Sequence, residues 1–246
     1  MMAAQPTLEK KVVELQRYID TNPTPKSSQP KIQRVAEYLR NREKFGKHYT
    51  PRLVSIGPIH HGSTHLELGE KYKLMWAAKY IKNTGSIQKD LHKKIADNID
   101  HLKGRFSDDV LTLTGKSLEG FGSLEEKLTW MLFVDGCSLL HILEKHNFRE
   151  VEHENIVMMD VLLLENQLPY EVLKLLCKDE DESKLLKSMR SFPSHLCIIN
   201  DESQLENEKE GDGEHRVPMP DESPKPNHLL HLHREIILGP SNSKVQ

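Results

Sequence analysis

No stretch of the 246-residue sequence stays apolar for the ~20 residues that span a bilayer. The opening "MMAAQPTLEKKVVELQRYID" turns charged too early for a secretory signal. The chain as written reads as soluble, and a cytoplasmic setting is expected. Cysteine is scarce: Cys137, Cys177 and Cys197 form an odd set without paired spacing, each in or beside an apolar run. Their pattern supports neither a disulfide framework nor a cysteine-based zinc motif, and it fits small buried hydrophobes in a reducing compartment.

A surplus of one charge is missing as well. The chain carries 34 basic and 37 acidic residues, but nine acids face only Lys209 and Arg216 between Asp201 and Glu222. That segment holds −7, which leaves +4 on the remainder of a chain whose net charge is −3. Positive charge so thinly spread is not the one-faced basic stripe that nucleic acid requires, so no nucleic-acid partner is expected. Signatures of catalysis are absent in the same way: there is no nucleophile elbow, dinucleotide fingerprint or zinc-ligand set. The "GKS" at Gly115–Ser117 invites comparison with a phosphate loop, but the glycine needed five positions upstream is Val110.

What the sequence does have is helical periodicity. Leu8, Val12, Leu15 and Ile19 repeat at helical spacing before the linker "TNPTPKSSQP". Ile32, Val35 and Leu39 predict a second short helix running to a turn near Gly46, and Pro51 opens the extended stretch "RLVSIGPI". Leu66, Leu74, Ala77, Ala78 and Ile81 predict the apolar stripe of a long helix ended by Gly85. Leu91, Ile95, Ile99 and Leu102 predict one face of the next. Ser123 and Glu126 form a capping box ahead of "LEEKLTWMLFVDGCSLLHILEKH", apolar nearly all round and hence a central helix. The run "NIVMMDVLLLENQLPYEVLKLLC" can continue helically to Leu168, where Pro169 forces a break beside the polar triplet Glu165, Asn166 and Gln167. Residues 200–226 are acidic and poor in apolar side chains, which predicts a disordered loop. Asn227 is placed to cap a last helix, "HLLHLHREIIL". The expected fold is all-α: an irregular multi-helix domain with one short extended N-terminal segment. Its expected parts are an N-terminal helix and linker (1–30), a partial helical domain (31–199), the acidic loop (200–226) and a terminal helix and tail (227–246).

In order, "YTPRLVSIGPIHHG", "KYKLMWAAKYI", "VDGCSLLHIL", "DVLLLENQLPYEVLKLL" and "HLLHL" resemble the plant family known as domain of unknown function 247. The resemblance covers Ile32 to Leu238. It implies relatives that continue through a further half-domain to a C-terminal membrane-anchoring helix at the plasma membrane, which this chain lacks. It also implies recognition or signalling, since no reaction is established for the family and some grass members are associated with pollen self-incompatibility. One departure is "IQRVAEYLR", where Ala36 stands in place of an expected proline; losing a helix breaker predicts a more helical segment there.

Three constellations could carry chemistry, and each has a structural alternative. His60, His61 and His65 could converge on a metal if a helix beginning at Gly62 put His61 and His65 on one face. Otherwise His60 and His61 hydrogen-bond loop backbone freed by Gly57 and Pro58. Cys137 and His141 stand one helical turn apart, as a nucleophile and base would. The alternative is a packed cysteine beside Gly136, which lets a second helix approach. Asp135 and Glu165, read as the only pair of motif acids, could do acid/base work or sit in a structural network with arginine and backbone amides. The structural side is favoured in each case, with Ser55, Gly57, Pro58, His60, His61, Gly62, Asp135, Gly136, Cys137, Glu165, Asn166, Gln167 and Pro169 as structural or interaction residues. His228, His231 and His233 lie on a terminal helix whose Leu229, Leu230, Leu232, Ile236 and Ile237 are expected to be partly exposed. A non-enzymatic recognition or scaffold protein with a protein partner and no cofactor is therefore expected. Its rivals are an enzyme using the acids or histidines, and a truncated paralogue without function.

Overall fold

A computed structural model of the chain describes residues 7–21, 30–41, 48–144, 154–178, 181–192 and 225–238. The predicted turn at Gly46, Cys197 and nearly all of the acidic 200–226 segment lie outside the described residues. The chain divides into two units, Met1–Pro30 and Lys31–Gln246. The first holds α1 (Thr7–Thr21), on which Leu8, Val12, Leu15 and Ile19 share a face. In the second, α2 (Glu37–Arg40), α3 (Glu67–Thr84), α4 (Gln88–Asp97), α5 (Ile99–Lys103), α6 (Asp108–Gly115), α7 (Leu124–Glu144), α8 (Glu154–Asp160), α9 (Tyr170–Leu176), α10 (Glu182–Ser191) and α11 (Leu229–Leu238) follow in chain order. Among the described residues there is no β-strand, only an isolated parallel bridge between Ile32 and Phe106, so the fold is all-α.

The centre is α7. Ser123 Oγ accepts from Glu126 N–H at 3.1 Å and the Glu126 carboxylate accepts from Gly122 N–H at 2.7 Å, a capping box shifted by one residue on its return arm. From Lys127 to Leu143 only Trp130 is exposed, because α3, α4 and α9 pack around the helix. At Gly136 an added methyl would lie 2.5 Å from Leu176 Cδ1 and 2.9 Å from Val172 Cγ1, so glycine admits α9. The long helix α3 ends at Gly85, whose φ of +67° puts it in the left-handed region.

Several expectations from periodicity need correction. On α3 the buried face is Gly69, Lys73, Trp76, Ala77 and Tyr80, whereas Leu74 is 51 % exposed and Ala78 faces solvent. Leu66 and Ala77 are buried and Ile81 packs against the core as expected, so the stripe was wrong only at Leu74 and Ala78 and left out Lys73, Trp76 and Tyr80. The helix expected to carry Leu91 through Leu102 breaks at Asn98 into α4 and α5. Residues 31–36 are not helical: Ile32 exchanges backbone hydrogen bonds with Arg105 and Ser107, and Ala36 holds φ −56°, ψ 139°, a conformation proline would adopt. Losing the proline therefore did not lengthen α2. The helix expected to reach Leu168 stops at Asp160, residues 161–166 form turns and bends, and residues 167–169 are irregular.

At the C-terminal end, α11 is started by His228 rather than Asn227: His228 Nδ1 accepts from His231 N–H at 3.2 Å, and Gln167 Oε1 accepts from Leu230 N–H at 3.1 Å. Leu229 and Leu232 are buried, with α11 packing on α10; Ile236, Ile237 and Leu238 are the exposed apolar residues of this helix. Burial, with the charge of His231, pushes His228 down to about 4, and burial pushes His233 down to about 4 against a backbone hydrogen bond at Met189.

Gly69 is the tightest backbone approach: a methyl there would lie 1.9 Å from the Leu53 carbonyl oxygen. Gly69→Ala should cost at least ~2 kcal/mol in urea unfolding, because backbone cannot yield as a side chain does; an unchanged midpoint would contradict the packing. The histidines set an acid limb. The unfolded chain protonates them near pH ~6.5, the folded chain near 4, so their contribution is complete above about pH 6.5 and is lost as the pH falls toward 4. Thermal midpoints should drop across that window, and His233→Gln should flatten the drop.

Candidate functional site

The segment from Arg52 to Gly57 runs through the interior with no strand beside it, so its amides need side-chain acceptors. Asp160, the last residue of α8, accepts from the N–H groups of Arg52, Leu53 and Val54 at 2.7 to 3.1 Å. Asn166 Oδ1 accepts from Ile56 N–H at 2.6 Å, while its Nδ2 donates to Val54 O and Asp160 O, both at 2.9 Å. Asp135 of α7 accepts from Gly57 N–H at 2.8 Å. Gly57 itself has φ +79°, and a methyl there would lie 2.5 Å from the Gln167 carbonyl oxygen; both the conformation and the contact require glycine.

Burying Asp135 calls for a counter-charge, and α3 supplies it. Lys73 is fully buried, and its three ammonium protons match three acceptors: Asp135 at 2.6 Å, Glu70 at 2.9 Å and Ser55 Oγ at 3.2 Å. Burial disfavours the charged ammonium, but the two carboxylates outweigh it and hold Lys73 above its ordinary value. Ser55 Oγ donates in turn to Glu70 at 2.6 Å.

Glu165, Asn166 and Gln167 reach three different parts of the chain. Glu165 accepts from Val35 N–H at 2.6 Å and pairs with Arg40 at 2.8 Å and His60 Nε2 at 3.2 Å. Burial opposes its ionisation, but those three partners hold the carboxyl below its usual range. Gln167 Nε2 donates to Val161 O and Leu163 O, both at 2.8 Å, and its oxygen starts α11. Pro169 follows at φ −56° and caps α9. Asp160 belongs to the same motif, so reading Asp135 and Glu165 as the only motif acids was incomplete. No hydrogen bond joins Asp135 to Glu165; each has its own cation and its own backbone amide.

The histidines are distributed in the same manner. His60 Nε2 also lies 3.0 Å from Tyr49 O, His61 Nε2 lies 3.3 Å from Glu119, and His65 Nε2 lies 3.2 Å from Pro51 O. The helical turn starts at Thr64 rather than Gly62, so His61 is a loop residue and does not share a helix face with His65. Cys137 is buried, and burial pushes its thiol up to about 12, far from thiolate chemistry at neutral pH.

Above the histidine loop lies a cleft of about 500 Å³, walled by Pro58, Ile59, His61 and Gly62 on one side and Val110, Leu113 and Thr114 of α6 on the other. Glu119 closes one end. Its φ of +51° is the one positive value among the described non-glycine residues, followed by Gly120 at +92°. Burial acts against its ionisation, but Lys127 at 2.7 Å and His61 hold its carboxyl below the usual range. Sequence reasoning missed Lys73, Glu119, Lys127 and Arg34, which also line these sites. Only Lys73 left a signal, as a charge inside the "KYKLMWAAKYI" motif.

The sequence profile of the domain of unknown function 247 family, described as "Plant protein of unknown function", matches residues 32–246. The chain belongs to that family. Two curated proteins of Arabidopsis thaliana are similar to it: UPF0481 protein At3g02645, 32% identical over 133 residues, and UPF0481 protein At3g47200, 28% identical over 143 residues. The matches take in 51% and 53% of this chain but 23% and 28% of those relatives, so the chain spans about a quarter of their length. No solved structure matches.

For this family member, Glu165→Ala should lower unfolding stability by on the order of 3 kcal/mol, because Arg40, His60 and Val35 N–H lose one buried acceptor together. Chemical denaturation reads it, and an unshifted transition would contradict the role. Depression of the Glu165 carboxyl adds a limb below the histidine one. Its contribution is present above about pH 4.3 and is lost as the pH falls through the folded value.

Proposed function

We propose that the chain is a non-enzymatic recognition or scaffold module, working through a protein partner in a reducing, cytoplasmic setting. The observation that supports this is how its buried acids are spent. Asp135, Asp160 and Glu165 are each bonded to backbone amides, and two of them also to a cation. A general acid or base needs a proton it can exchange and a substrate within reach. These carboxylates instead keep loops in place, and the loops present a fixed surface around His61, Ile59 and Leu113. By the family resemblance, longer members bring the same module to a membrane. Among the described residues of this chain, no helix is long and apolar enough to cross one.

The test is reconstitution. Quantitative pull-down from plant extract should yield a partner that binds the purified chain saturably, and Leu113→Glu, at a position 38 % exposed, should weaken that binding at least ~10-fold without moving the thermal midpoint. The reading fails if a turnover is found that Glu165→Gln or Asp135→Asn abolishes while the protein stays folded.

A further inference from the structure

The cleft above the histidine loop contains two cations that the buried network does not use. Lys127 does not count among them: its ammonium is met by Glu119 at 2.7 Å, Ser117 O at 2.7 Å and Thr114 O at 3.4 Å. Glu119 is likewise committed, to Lys127 and His61. Arg34 and Lys116 line the same cleft, and neither side chain makes a hydrogen bond or ion pair among the described residues. Lys116 is exposed and water can serve it. Arg34 differs, because its Nε is buried and has no acceptor, an arrangement that ordinarily finds an oxygen. Apolar lining comes from both walls, Ile59 on the loop side and Leu113 on α6. A volume of about 500 Å³ is in the range that holds a small organic molecule.

We propose that this cleft binds a small organic anion, with a carboxylate or phosphate head group held by Arg34 and Lys116 and an apolar body laid against Ile59 and Leu113. Arg34 offers a planar fork suited to either oxyanion, and Lys116 adds a point charge. Glu119, in its left-handed conformation, anchors the far end of the wall to Lys127 and so leaves the other two charges unneutralised. The anion site shares Ile59 and Leu113 with the surface of the recognition reading, but titration of the purified chain with small anions involves no protein partner, so failure of one reading is distinguishable from failure of the other.

Isothermal titration calorimetry of the full chain with naphthyl phosphate, naphthoate, naphthol and inorganic phosphate separates head group from body. One or both naphthyl anions should bind with one-to-one stoichiometry and at least ~10-fold more tightly than naphthol or inorganic phosphate. Which of the two binds better names the head group. Arg34→Gln and Lys116→Gln should each weaken that binding by ~10-fold. Lys93→Gln, outside the cleft lining, should leave it unchanged. Lys116 is on the surface, so its variant decides the matter if Arg34→Gln does not fold. The proposal is overturned if naphthol binds as well as the anions, if inorganic phosphate matches them, if no anion saturates the chain at millimolar concentration, or if the folded variants bind like the parent.

Discussion

Five backbone amides between Arg52 and Gly57 set the terms for most of the second unit. A helix satisfies its own N–H groups and a strand borrows a neighbour's carbonyls, but this segment is buried without either. Each amide left unpaired in an apolar interior would cost ~1–3 kcal/mol. Side chains therefore have to reach in from other elements, and acceptors carrying a negative charge bind amides more strongly than neutral ones. Asp160 taking three consecutive amides is the efficient solution, and Asn166 and Asp135 complete it.

Every later feature of the network follows from putting carboxylates there. A buried Asp135 needs a cation, hence a lysine on the inner face of α3 where a hydrophobe would otherwise sit. A lysine so placed needs two further acceptors, hence Glu70 and Ser55. Asn166 can reach both Val54 and Ile56 only from an irregular turn, which accounts for α8 ending at Asp160 instead of running on to Pro169. Once that turn exists its own carbonyls need donors, and Gln167 provides them while starting α11 with its remaining oxygen. A break that looks like a defect in a helix is thus the joint between three otherwise unconnected stretches of chain.

This logic explains which parts of the structure could be read from the sequence. The helical class, the central α7, its serine cap and the Gly85 stop rest on local spacing and capping chemistry, and they are visible in a short window. The idea that Glu165, Asn166 and Gln167 serve a backbone break was also legible, since a polar triplet beside a proline has few other uses. Its destinations were not. Val35, Val54, Ile56 and Leu230 are distant in sequence, and periodicity carries no information about them. Lys73 was lost for a related reason: a lysine scores as a surface residue, so the inner face of α3 was read through Ala77 and Ile81 without it, and Leu74 and Ala78 were wrongly added. The histidines misled in the opposite direction, because three imidazoles close in sequence turned out to serve three different oxygens.

The same accounting separates what the interior is for from what the surface offers. Asp135, Asp160 and Glu165 each hold backbone amides in place, and giving up those bonds would loosen the fold. Such rigidity would serve the proposed recognition role, since a preorganised surface loses less conformational entropy on binding. His61 shows the division in one residue. Its place is fixed from beneath by the glycine turns at Gly57 and Gly62, and its Nε2 is turned outward to Glu119 at the cleft. Glu119 makes that contact from a left-handed backbone conformation, and Lys127, buried on α7, balances its charge. The costs of strain and of a buried lysine are incurred at the cleft between the loop and α6, which ties the buried polar network physically to that cleft.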